Sequence, residues 1–192
     1  MEKNALFASR GTELKGERLS ITPMRPSDSE LFGRLVMGPL YDTYKRVVGH
    51  EPDSGIDKIL SHEAEDITHA IRINGYDDFA GWITLQHNED GQPDIGISLL
   101  PEHRGHGYGP EAVKLYCNWL NQKYGLSRIY VRISDDNEYS MKAFSKLGAI
   151  RYDTRENVCF KMLMDKLPEK FNEINDSHPV GYYFLNLPID IN

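Results

Sequence analysis

A mixed α+β fold, with a mostly antiparallel central sheet and flanking helices, is predicted by three observations on this 192-residue chain. From Ile67 the spacing of apolar residues changes from the helical period to a period of two. Three strand-like segments then follow one another as far as Leu100 with turn signals between them, which makes an antiparallel meander. After them a helix leads into a further strand, a crossover that supplies a parallel pair. The length fits one domain over residues 1–192, with residues 1–16 as a loose, polar N-terminal arm.

The elements follow in order. Arg18 to Pro23 reads as a short strand. Ser27-Asp28-Ser29-Glu30 matches a capping box, in which hydroxyl and carboxylate satisfy orphan amides at a helix start, and Leu31, Phe32, Leu35 and Val36 form that helix's apolar stripe. Gly38 to Gly55 gives no firm element; Ile56, Ile59, Leu60 and Ala64 then suggest a second helix. Ile67, His69, Ile71 and Ile73 line one side of a strand closed by Asn74-Gly75. Phe79 to Gln86 is the next strand, and Asn88-Glu89-Asp90-Gly91 turns it back into Asp94 to Leu100. A Gly-rich loop, Arg104 to Gly109, precedes a helix with Pro110 at its first position and an end near Gly125. Ile129, Val131 and Ile133 mark a strand, and a helix runs from near Asn137 to Gly148. In the tail, Val158, Phe160, Met162 and Met164 alternate like a strand, Asp165 to Ile174 reads as a short helix, and Val180 to Leu187 as the last strand.

Composition bounds the function. Hydrophobic residues are 40% and charged residues 27%, the balance of a globular protein rather than a disordered or fibrous one. No apolar run is long enough for a membrane span, and Met1-Glu2-Lys3-Asn4 does not begin a secretion signal, so the cytoplasm is the expected location. Cys117 and Cys159 are expected to be reduced thiols, with Cys117 on the apolar side of its helix. The net charge of −7 argues against nucleic acid and anionic membranes and favours a cationic partner.

The chemistry concentrates between Asp94 and Ala112. A strand, a glycine-rich turn and a helix N-terminus bring backbone N–H groups together at the positive end of a helix dipole, which suits a phosphate. Gly105, Gly107 and Gly109 allow close approach of the backbone, and Arg104 adds a donor. A Walker A loop requires Gly-Lys-Ser/Thr where this chain has Gly109-Pro110-Glu111. A dinucleotide fingerprint starting at Gly105 requires a third glycine where Pro110 stands, and a parallel β-α-β unit rather than a strand arriving from a hairpin.

What remains closely resembles the GNAT superfamily of acyl-CoA-dependent N-acetyltransferases, whose signature Arg/Gln-x-x-Gly-x-Gly/Ala falls on Arg104, Gly107 and Gly109. The stretch from Asn137 to Ala149 is similar to the family's next motif, an Asn after the fifth strand and a helix ending in Lys-Leu-Gly-Phe, with Ala149 in place of the Phe. Asp94-Ile95-Gly96 and Pro101-Glu102-His103-Arg104-Gly105 most resemble the branch of ribosomal-protein N-terminal and diamine or spermidine acetyltransferases. The resemblance implies a GNAT-like fold in which the fourth and fifth strands splay apart around the pantetheine arm of acetyl-CoA. Ser98, Leu99 and Leu100 are then expected to line that arm, with the Leu99 N–H facing the thioester carbonyl. Arg104, Gly105, His106, Gly107, Tyr108 and Gly109 are expected to hold the pyrophosphate, Asn137 to bind the arm or an ordered water from the other strand, and Ser140 to join the donor site.

Asp94 stands where this branch often has a carboxylate that handles the amine, and is the candidate base; as a bland alternative it is a turn residue after Gln92-Pro93. Phe144 occupies the position of the family's usual acidic Tyr, which leaves Tyr139, Tyr152 and Ser140 as other proton donors, or none. His62, Glu63, Glu65, Asp66 and His69 lack the spacing of a metal site and read as a solvated face, so no metal is expected. Tyr41, Tyr44 and Trp82 shape either an acceptor pocket or core. The leading function is acetyl transfer from acetyl-CoA to a primary amine, either a protein N-terminus or a small polyamine-like molecule. Glu51, Asp53, Asp57, Glu63, Glu65 and Asp66 are the acidic border expected to attract it. The rivals are a CoA-binding module without catalysis and a nucleotide-binding regulator, and a homodimer is left open.

Overall fold

The computed structural model describes residues 10–38, 40–53, 55–61, 64–76, 78–88, 90–155 and 179–190. Among these residues eight strands form one sheet: β1 (Leu14–Lys15), β2 (Leu19–Pro23), β3 (Ile67–Ile73), β4 (Phe79–His87), β5 (Pro93–Leu99), β6 (Arg128–Ser134), β7 (Ile150–Arg155) and β8 (Val180–Asn186). Their spatial order is β1-β2-β3-β4-β5-β6-β8-β7. Every neighbouring pair is antiparallel except β5 and β6, which are parallel. The mixed, mostly antiparallel sheet expected from the meander and the crossover is therefore the observed one.

Among the described residues five helices flank it: α1 (Ser29–Met37), α2 (Leu40–Val48), α3 (Ile56–Leu60), α4 (Tyr108–Tyr124) and α5 (Glu138–Lys146). Alternation along the strands sends Ile95 and Leu99 to one face with Ile83, Ile129 and Ile133, where they pack against Val113, Tyr116 and Cys117 of α4 and Phe144 of α5. The opposite face buries Ala70 and Phe79 against Met24, Phe32 of α1 and Ile56 of α3. Leu187 joins cis to Pro188 after β8. No helix among the described residues is long and apolar enough to cross a membrane.

Five expectations are corrected. The start of α1 is not held by Ser27 and Glu30: a 3-10 turn (Pro26–Asp28) precedes it, and the buried Asp28 carboxylate accepts the Arg25 N–H at 2.7 Å and pairs with Arg72 at 2.8 Å. Within the stripe of that helix, Val36 is exposed while Met37 is buried. Helix α2 lies where no element was read, because Tyr41 is its buried side chain and the apolar stripe is too thin to show in the sequence. Helix α4 starts at Tyr108, so Pro110 sits inside the first turn, where its missing N–H breaks no helical bond. Leu14–Lys15, within the stretch read as an arm, pairs with β2. The strand read at Val158 to Met164 and the helix read at Asp165 to Ile174 lie outside the described residues.

Candidate active site

The site grows from the one parallel junction. β5 and β6 are joined at a single register pair, Asp94 opposite Tyr130, near the start of β5. Beyond it the two strands diverge, and a cleft of about 250 Å³ opens between the end of β5, α4 and α5. It is lined by Ser98, Leu99, Arg104, Gly109, Asn137 and Ser140 among the expected donor residues, together with Tyr139 and Phe144.

Hydrogen-bond alternation fixes what β5 offers to this cleft. The Leu100 N–H goes to the Ala80 carbonyl on β4 at 2.9 Å, and Gly81 lies opposite Leu99. Backbone groups alternate in direction along a strand, so the Leu99 N–H and carbonyl turn to the other edge, toward the gap. Arg104 Nε takes that carbonyl at 2.8 Å. Arg104 therefore braces the end of β5 as well as bordering the cleft. Leu100 does not join the cleft: its side chain packs with Met24 and Phe32 on the opposite face.

The loop below carries the glycines. Gly105 and Gly107 both have φ of +81°, a backbone that L side chains rarely adopt, and Gly107 is the N-cap of α4. The first helical bond is the Glu111 N–H to the Gly107 carbonyl at 3.3 Å, so the amides before it point out of the helix end. The Gly105 N–H donates to Tyr139 Oη at 2.8 Å across the cleft mouth. A Cβ on Gly109 would face Leu99 at 3.7 Å, whereas one on Gly107 would meet Arg18 Nη2 at 3.3 Å on the loop's other side. His106 and Tyr108 stack on each other at 5.8 Å, with the Arg18 guanidinium 5.1 Å from the Tyr108 ring. Across the gap, Asn137 caps α5, its Oδ1 accepting the Ser140 N–H at 3.0 Å.

Asp94 is 1% exposed. Its Oδ1 accepts from Gln86 Nε2 at 2.9 Å and from Arg132 Nη2 at 3.2 Å. It shares its strand face with Gly96 and Ser98, next to Trp82, whose ring covers Gly96. The turn-residue alternative does not describe this buried, ion-paired carboxylate. Nearby Asp66 has its pKa pushed up, by loss of hydration first and then by Glu65 and Asp94, with His87 and Arg132 acting against them.

The other candidates disperse. Tyr41 is buried under the Arg34 guanidinium, 5.2 Å from its ring, and burial is the main cause that pushes its phenol up; Tyr44 meets His50 at 5.8 Å. Trp82 alone of the three aromatic residues borders the Asp94–Ser98 face. Tyr152 meets Tyr130 and Tyr182 edge to face and Phe184 at a tilt, away from the cleft lining, and Tyr139 is committed at the loop end. Phe144, 5% exposed, leaves the position of the usual Tyr without a hydroxyl. Of the acidic border, Glu51 pairs with Lys45 at 2.9 Å and Asp53 accepts the Gly55 N–H; Glu63, like His62, lies outside the described residues. Among the described residues no group of three or more His, Cys, Asp or Glu is placed to hold a metal ion. Cys117 is a buried free thiol, and Cys159 lies outside the described residues. Arg18 and Gly81 leave no functional signal in the sequence; Arg18 opens the first expected strand, and its tie to the loop is visible only in three dimensions.

Residues 18–150 match the acetyltransferase (GNAT) domain. The chain belongs to the GNAT acetyltransferase family. An N-acetyltransferase 9-like protein from Caenorhabditis briggsae is 32% identical over 92 residues, 45% of this chain and 46% of that relative's length. Among solved structures, a GNAT-family acetyltransferase from Bacillus anthracis superposes with a TM-score of 0.63 at 17% identity, covering 91% of this chain and 98% of the other. A chimera of the spermidine N-acetyltransferase from Vibrio cholerae does so with a TM-score of 0.63 at 14% identity, covering 88% and 96%. At these identities the structural likeness establishes the fold of this GNAT chain.

Proposed function

We propose that this protein transfers the acetyl group of acetyl-CoA directly to a primary amine, a protein N-terminus or a small polyamine-like amine, in a ternary complex. The observation that carries the reading is the Leu99 N–H, turned by strand alternation into the gap between β5 and β6. A fixed donor there suits the oxyanion that develops when an amine attacks a thioester, and it needs no rearrangement during the reaction. Ser98, Leu99, Asn137 and Ser140 flank the arm of the donor, while Gly105, His106, Gly107, Tyr108, Gly109 and Arg104 form the cradle for its pyrophosphate. The glycine geometry is what that cradle requires, since Gly109 leaves the cleft side of the helix start open.

Asp94 accepts the amine's proton, through water, from the face it shares with Ser98. Its bonds to Gln86 and Arg132 hold the carboxylate in one orientation. With Phe144 in the cleft wall, the departing thiolate leaves without a tyrosine; a thiol pKa of about 8.5 makes it a tolerable leaving group. The acceptor is cationic, and Glu65 and Asp66 of the acidic border favour it, Glu51 and Asp53 being engaged locally. The resemblance of the Asp94–Gly105 stretch to the ribosomal-protein branch sets peptide N-termini ahead of polyamines. Free thiol released from acetyl-CoA in the presence of amine panels tests the reading; no release with any amine, despite donor binding, would leave a CoA-binding module.

A further inference from the structure

Arg18, just before β2, reaches the loop after β5 from behind. Its Nη1 donates to the His106 carbonyl at 2.9 Å, and Nε and Nη2 both contact Glu111 Oε2 at 2.7 Å. The Arg18 backbone N–H also donates to Glu111 Oε1, at 2.9 Å. The guanidinium covers the side toward which a Gly107 Cβ would point. The peptide plane between His106 and Gly107 is trans, so its carbonyl and its N–H point in opposite directions. Holding the His106 carbonyl toward Arg18 therefore turns the Gly107 N–H to the other side of the loop. Glu111 adds a second reason for the arrangement. It is an acidic residue in the first turn of α4, next to where a diphosphate would sit, and its charge is neutralised by Arg18.

We propose that Arg18 is a positioning residue for the donor's diphosphate: it aims the Gly107 amide into the cradle and cancels the charge of Glu111. The inference rests on the reading of the loop as the acetyl-CoA cradle. It separates the diphosphate from the thioester end of the donor, because Arg18 is not part of the cleft lining around Ser98 and Leu99.

The test compares acetyl-CoA with S-acetylpantetheine, which carries the same thioester and arm but no diphosphate, for the wild type, Arg18→Met, Arg18→Lys and the double variant Arg18→Met/Glu111→Gln. Arg18→Met should raise the KM and Kd for acetyl-CoA by about tenfold or more, as expected for losing hydrogen bonds to a charged group, with kcat little changed. Its kcat/KM for S-acetylpantetheine should stay within about twofold of wild type. Glu111→Gln in the Arg18→Met background should recover part of the acetyl-CoA affinity by removing the uncompensated charge, and Arg18→Lys should fall between wild type and Arg18→Met. Unchanged acetyl-CoA affinity in both Arg18 variants, or an equal loss with both donors, overturns the inference. A wild-type protein that binds no acetyl-CoA overturns the cradle itself.

Discussion

Replacing Asp94 by Asn keeps the shape of a buried side chain while removing the charge that faces Arg132. If Asp94 accepts the amine's proton, Asp94→Asn lowers kcat by about 100-fold or more and leaves donor affinity nearly unchanged. Steady-state rates with a fixed amine, alongside acetyl-CoA titrations, read both effects. Phe144→Tyr is the converse substitution. With a leaving thiol of pKa about 8.5, restoring the hydroxyl should change kcat by less than about threefold at neutral pH, and a larger gain would show that thiolate protonation limits the reaction. At Cys117 the structure predicts inertness. Burial pushes this thiol's pKa far above the range in which thiolate forms at ordinary pH. Peptide-resolved mass spectrometry after native alkylation should find Cys117 unmodified up to about pH 9, and modified once the protein is unfolded.

Helix and strand ends carry the glycine loop, and there the sequence was informative only in part. The glycines, Asn137 and the succession of strands β2 to β6 could be read because turn chemistry and period leave marks in composition. The positions of Leu100, Arg104 and Gly81 could not, since they depend on which strand edge a backbone group faces. Leu100 looked like a third residue of the arm site, yet its N–H is spent on β4. Likewise, helix α2 was illegible because Tyr41 supplies its burial almost alone. Gly81 shows how close the packing is: a Cβ there would run into the Ser98 carbonyl and come within 2.9 Å of the Leu99 Cα. Gly81→Ala should displace the end of β5 and weaken acetyl-CoA binding, although residue 81 lies outside the cleft lining; calorimetric titration measures it.

For the whole molecule, donor binding should appear as stability. Acetyl-CoA at a hundredfold excess over its Kd should stabilise the fold by about 2.7 kcal/mol, measurable as a shift in the denaturant midpoint. The overall charge of −7 bears on the acceptor in the same global way. If carboxylates draw cationic amines to the cleft, kcat/KM for them falls with salt, because screening acts over about 10 Å at 0.1 M. Neutral amines of matched size should show little dependence. Element order was the most legible part of the fold, because the meander and crossover follow from local turn signals. The local pairing of the charges was not, and Lys45 with Glu51 is the example.

The lone Asp94–Tyr130 register pair also has a mechanical meaning. Strands β1 to β5 form one continuous ladder and β6, β8 and β7 another, and between them the sheet has almost no rungs. Each half is stiff along its own strands. Side chains of α4 and α5 pack in one cluster with residues of β5 and β6 and so bridge the two halves. A ligand that spans the gap would work as a splice, joining two boards that share one nail, and the stiffness it adds would be felt most at the far ends of β5 and β6. The arrangement gives the sheet a built-in compliant seam, located where a long, thin molecule can be admitted without breaking any strand pairing.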